Sequence, residues 1–203
     1  MKSLILKPIH LFAVVGLAIA LLMLGMVPTA SAMDADPVSG TTLVLRGAGI
    51  RTQGAQALYT AKLYAAHASA EASRLQVVVS RDVGASEITA LLVHGLVANA
   101  SDAELSRLIP ELFGLGAVIG TQHSLRAGDG FQIVANADRS TTIRIQARGA
   151  AQPVEVTFDQ PELFPVMLKI WLGPQPADGV LKQALLGQSV QEYFRALPLR
   201  NGH

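Results

Sequence analysis

The sequence contains no cysteine. That excludes disulfides, thiolate nucleophiles and sulfur-ligated metal sites, so stability has to come from the core. Charged residues make up only 15% of the chain, and no basic stripe or RNA-binding motif interrupts it, which excludes nucleic acid as a partner. Of the five histidines, the four beyond His10 (His67, His94, His123 and His203) show no ligand spacing such as H-x-x-x-H. Zinc needs three or four convergent ligands, so no metal is expected. No G-x-S-x-G elbow is present. The run Gly114 to Gly120 lacks the spacing of a dinucleotide loop, and no cofactor is expected. Glu155, Asp159 and Glu162 come nearest to a carboxylate cluster, but Asp159 and Glu162 read as a helix cap and a first-turn charge rather than an acid/base pair.

What the chain has in abundance is apolar residues, half of the total. The longest apolar run, Leu11 to Val27, follows Lys2 and Lys7 and precedes Ala30-Ser31-Ala32, an A-x-A cleavage pattern. Residues 1–32 therefore read as a secretory signal peptide, and the protein is expected in the periplasm or outside the cell. Membrane contact is expected only through this segment, if it is left uncleaved. Cleavage removes two of the 16 Lys/Arg and none of the 15 Asp/Glu, which moves the net charge from +1 to −1. Residues 33–40 read as a flexible start, and 41–203 as one domain with a real core.

Along that domain, Thr41 to Leu45, Leu58 to Ala66 and Arg74 to Arg81 read as strands. Gly47 and Gly49 break the first pattern, either for positive φ or for close approach of another backbone. Ser86 is the expected cap of a helix carrying Ile88, Leu92 and Leu96. Ser101 to Glu104 forms a capping box for a second helix, with Pro110 predicting a kink or an early end. Phe131 to Ala135 and Thr141 to Ala147 predict a hairpin, followed by a strand from Val154 to Phe158. Two helices close the chain, one containing Trp171 and one capped by Asp178. Strands and helices come in blocks rather than alternating. This predicts an α+β fold, an antiparallel sheet with helices on one face.

The polar residues concentrate between Leu43 and His67. Arg51 follows the glycine pair, and the next strand carries Tyr59, Thr60, Lys62 and Tyr64. With a period of two, Thr60, Lys62 and Tyr64 share one face, while Tyr59, Ala61 and Leu63 share the other. An Arg among apolar strand residues needs a partner. A guanidinium holds a carboxylate through two hydrogen bonds, and a Tyr hydroxyl can add a third. The alternatives are a surface Arg or one paired with an internal acid.

These residues resemble the bacterial chalcone isomerase-like family. The likeness rests on Gly47-Ala48-Gly49-Ile50-Arg51 with Leu58 to Tyr64, on Val77 to Val83, and on Met167 to Gly173 followed by Leu181 to Gly187. The resemblance implies an open-faced β-sandwich, a large antiparallel sheet with helices layered on one face and a ligand cleft between. The family's plant enzymes close a flavanone ring with an Arg, a strand Thr, a helical Tyr and Asn, and a late Thr. Arg51 and Thr60 match the first two and are the candidate catalytic residues. No Tyr lies between Ile88 and Asn99, Gly95 best matches the Asn, and the late Thr falls near Ile170. The family's fatty-acid-binding members keep the Arg and a strand Tyr. The resemblance therefore implies a non-catalytic protein that holds a fatty acid or similar amphiphile. Its ligand-binding residues would be Arg51, Tyr64, Thr60 and Tyr59, with the acyl chain against Leu92, Leu96, Leu168 and Trp171. The alternative is an intramolecular lyase of chalcone isomerase type.

Overall fold

The computed structural model describes residues 43–66 and 72–188. The expected signal peptide and flexible start lie outside the described residues. Among these residues the main feature is a six-stranded antiparallel sheet in the order β1-β2-β3-β6-β7-β8. Its strands are β1 (Leu43–Gln53), β2 (Gln56–Ala66), β3 (Ala72–Val79), β6 (Gly130–Ala135), β7 (Thr141–Gln146) and β8 (Val154–Phe158). A short pair, β4 (Val83–Gly84) and β5 (Ser124–Leu125), clips the helical insertion at its two ends. The helices are α1 (Ala85–Asn99), α2 (Asp102–Arg107), α3 (Ile109–Thr121), α4 (Leu163–Leu172) and α5 (Gly179–Leu185). The architecture is α+β, as the blockwise element order predicts.

Two local expectations change, and a third, for Pro110, resolves to the early end of the helix before it. The first strand does not end at the glycines: β1 runs through them to Gln53, and the chain reverses at Gly54, whose φ is +60°. Ser86 is not the cap of α1. Gly84 holds that position with no side-chain bond, and the β4–β5 pairing fixes the start instead. Pro110 does not kink a helix. It sits in the first turn of α3, where its missing N–H costs nothing, and α2 ends before it at Arg107. The Ser101 capping box forms as read, with both reciprocal bonds in place.

One face of the sheet is apolar. Tyr59, Ala61 and Leu63 of β2, Leu75, Val77 and Val79 of β3, and Ile133, Ile143 and Ile145 beyond them join one core with the helices. α4 supplies Leu163, Val166, Met167, Ile170 and Trp171, all buried. The other face is polar: Tyr64 stacks under Arg74, and its hydroxyl donates to Gln76 at 3.3 Å.

The glycine pair explains how the last helix docks. Neither Gly47 nor Gly49 has a positive φ. Instead α5 lies directly on them. A Cβ at Gly49 would sit 2.8 Å from Ala184 Cβ, and one at Gly47 would collide with the carbonyls of Ala184 and Leu185. The third block of family-like sequence is also structural. Asn99, the last residue of α1, bonds Gln175 through both its amide N and its O, and Lys182 Nζ donates to the carbonyl of Gly173 at 2.9 Å.

Candidate functional site

Strand register decides which polar residues meet. Arg51 pairs with Tyr59 across β1 and β2, so the two side chains share the helix-facing side. Thr60 pairs with Ile50, and Tyr64 with Leu45 and Arg74, on the opposite side. The expected grouping of Arg51 with Tyr64 and Thr60 is therefore corrected. Tyr64 belongs to the Arg74–Gln76 cluster, and neither Tyr64 nor Thr60 faces the helices. The period-two reading already separated Tyr59 from Tyr64. What it lacked was the register that assigns Arg51 to Tyr59.

Arg51 is half-buried, with its guanidinium carbon 5.8 Å from the Tyr59 ring centroid. Tyr59 is only 7% exposed, and Trp171 Nε1–H donates to its hydroxyl at 3.1 Å. Burial pushes the Tyr59 hydroxyl above its ordinary pKa of 10.0. Hydrogen bonding and charge from Arg51, and the Trp171 bond, pull it back, while the charge of Asp178 pushes with burial. Asp178 Oδ1 itself accepts from the Val180 and Leu181 amides at the start of α5. The ion pairs among the described residues include Arg81–Glu87, Arg107–Glu162, Arg144–Glu155 and Lys169–Glu104, and none of these uses Arg51.

Two apolar volumes lie further along the helix layer. A small cavity between sheet and helices is lined by Leu92, Leu115, Ile119, Ile133, Ile143 and Met167, among others. It has room for little more than one water, about 20 Å³. Outside it, α1, α2 and α3 enclose a groove of about 440 Å³. Of the expected acyl contacts, Leu92 lines both volumes and Leu96 the groove only. Leu168 lines neither, and Trp171 reaches Tyr59 instead. Arg51, Tyr59, Thr60 and Tyr64 line neither volume. Met167 of the cavity is one turn of α4, about 6 Å, from Trp171. The sequence offered no signal for these volumes, since they depend on how three helices lean on one another. Among the described residues no group of three or more His, Asp or Glu could hold a metal ion, and no helix is long and apolar enough to cross a membrane.

The arrangement can bind an anion at Arg51 and hydrocarbon along α4. Its comparisons with known proteins agree at the level of fold. The curated proteins contain no match. The solved structures include a fatty-acid binding protein of Arabidopsis thaliana with 12% sequence identity and a TM-score of 0.55, covering 78% of this chain and 94% of that one. A family model described as chalcone isomerase-like matches residues 26–187, most of the chain. The protein thus belongs to the chalcone isomerase-like family.

Proposed function

We propose that this protein is a non-catalytic carrier of a fatty acid or similar single-chain carboxylate, gripped at Arg51. The observation that carries this reading is the pairing of a half-buried Arg51 with the buried Tyr59 hydroxyl, without an acid among the described residues in ion-pair contact with the guanidinium. Arg51 offers two parallel N–H donors to a carboxylate. Trp171 donates to the Tyr59 oxygen, so the hydroxyl hydrogen is left to donate outward as a third bond. The raised pKa keeps Tyr59 protonated, and hence a donor, at neutral pH. The hydrocarbon would follow α4 from Trp171 toward Met167 and the cavity. The Arabidopsis structure with this fold is described as a fatty-acid binding protein, which supports the same ligand class.

The positions matched to catalytic polar groups weigh against ring closure. Gly95 and Ile170 stand there, packed so closely that a Cβ on Gly95 would lie 2.6 Å from Ile170 Cγ2. Cyclisation needs groups that orient a nucleophile and polarise a carbonyl, and this contact supplies neither.

The test is a titration of dodecanoate and of dodecanol, followed through Trp171, the only tryptophan. Charged hydrogen bonds contribute about 1.5–3 kcal/mol, so Arg51→Ala is expected to weaken dodecanoate about 10- to 100-fold. Dodecanol, which has no carboxylate, is expected to change less than threefold. Equal losses for both ligands, or no loss for either, would refute Arg51 as the anchor. The export reading is tested separately, by fractionating the host and sequencing the mature N-terminus. A terminus at Met33 supports it.

A further inference from the structure

We propose that the groove between α1, α2 and α3 is the distal tail subsite for the amphiphile. It would take the hydrocarbon that the small cavity cannot hold. The inference rests on the carboxylate-binding reading above and extends it.

Four observations point to this occupant. First, the groove and the cavity share Leu92, Leu115 and Ile119, so only side chains separate them. Rotamer changes in three aliphatic residues would join them. Second, the joined channel suits one hydrocarbon chain. A partner helix, about 10 Å across with its side chains, could lie over the groove but not pass that wall.

Third, Gly116 lines the groove, and a Cβ built there meets nothing within 4 Å. A glycine inside a helix costs about 1 kcal/mol relative to alanine. Its neighbour Gly114 has a packing reason, because a Cβ there would lie 2.9 Å from the Phe158 ring. Gly116 has none. What it does is keep the groove open. Fourth, the polar lining includes Asp102, whose charge would repel a carboxylate. The groove therefore admits the tail and leaves the head to Arg51.

The groove's outer wall is suited to move. No residue of α2 is buried. α2 is strapped to α4 by Glu104 with Lys169 Nζ at 2.6 Å and Arg107 with Glu162 at 2.8 Å. Surface ion pairs of this kind hold a helix weakly.

The experiment measures binding of octanoate, dodecanoate and hexadecanoate to the chain and to two variants. Gly116→Leu fills the groove, whereas Gly120→Leu adds the same side chain to α3 at an exposed position that also has open space. Each methylene that leaves water is expected to tighten binding about fourfold. The leucine at 116 displaces a few methylenes of tail, so hexadecanoate should weaken about 50-fold. Octanoate should change less than about twofold, a span that corresponds to well under 1 kcal/mol. Gly120→Leu should leave all three acids unchanged.

An unaltered chain-length dependence in Gly116→Leu overturns the groove while leaving the Arg51 reading intact. Equal losses in both variants also overturn it. If no acid of any length binds the parent chain, the carrier reading itself fails. A second measurement does not depend on those variants folding. The chain has no cysteine, so Val97→Cys on the groove wall takes a single fluorophore. Stearic acid bearing a nitroxide near its methyl end should quench it, and a label at Gly149→Cys should stay bright. Bound acid without quenching at position 97 overturns the proposal.

Discussion

Alanine at Gly47 and alanine at Gly116 should have opposite effects on stability. At Gly47 the new methyl meets the backbone carbonyls of Ala184 and Leu185, the latter oxygen at 2.5 Å, and a backbone cannot rotate away as a side chain can. Either α5 shifts as a body or it leaves the sheet. A shift resembles overpacking and costs about 1–3 kcal/mol. Leaving exposes Leu181 and Leu185, now 1% and 0% exposed, at about 1.5–3 kcal/mol each, or about 3–6 together. The cheaper route sets the outcome, so about 1–3 kcal/mol is expected. In a chain of this size that lowers Tm by about 2–12 °C. Gly116→Ala gains helix propensity into open space and should raise stability by about 0.5–1 kcal/mol. Urea melts followed by far-ultraviolet circular dichroism measure both. A neutral Gly47→Ala, or a Gly116→Ala as damaging as Gly47→Ala, would refute the account of why these glycines are there.

Three further outcomes are expected. Asp178→Asn keeps a good helix cap but removes the negative charge felt at Tyr59, so dodecanoate should bind a few-fold tighter with little change in Tm, read by the Trp171 titration. Glu104 has its pKa lowered to about 2, first by Lys169 and then by the bonds to Ser101, from an ordinary 4.5. Because the folded value is the lower one, its stabilisation is present above about 4.5 and is lost as pH falls toward 2. Amide exchange in α2 should rise across that window, and Glu104→Gln should show the faster exchange already at neutral pH. Tyr59 shifts the other way: its folded pKa lies above 10.0, so its contribution is intact below pH 10 and is lost as pH rises through the folded value. Absorbance at the tyrosinate band, compared with Tyr59→Phe, should show one tyrosine ionising above the others.

Much of the architecture was legible in the order of the residues. The hairpin of β6 and β7, strand β8, the Ser101 capping box and the Asp178 cap of α5 each rest on a local pattern: alternation, a turn, or a side chain reaching its own backbone. Such patterns act within a few residues and need no knowledge of the rest of the chain. The start of α1 was not legible, because its place is set by the β4–β5 pairing, with Leu125 across from Val83. The family blocks were visible as well, and of the two readings of Gly47 and Gly49 the close approach of another element holds, with α5 as the neighbour.

The sequence alone determined that the cations Arg51 and Lys62 stand among tyrosines and apolar residues, and that alternation puts Tyr59 and Tyr64 on opposite faces. Only the tertiary structure decided which face Arg51 occupies. A shift of one residue between β1 and β2 would have turned Arg51 toward Tyr64; the turn at Gly54 and the register shift between Arg51 and Thr52 set the pairing that prevents it. The docking of α5 onto Gly47 and Gly49 fixes which side of β1 the helix layer covers, and Arg51, two residues on from Gly49, shares that side. The groove beside Gly116 is likewise a product of three helices meeting, since an empty space has no residue of its own to announce it.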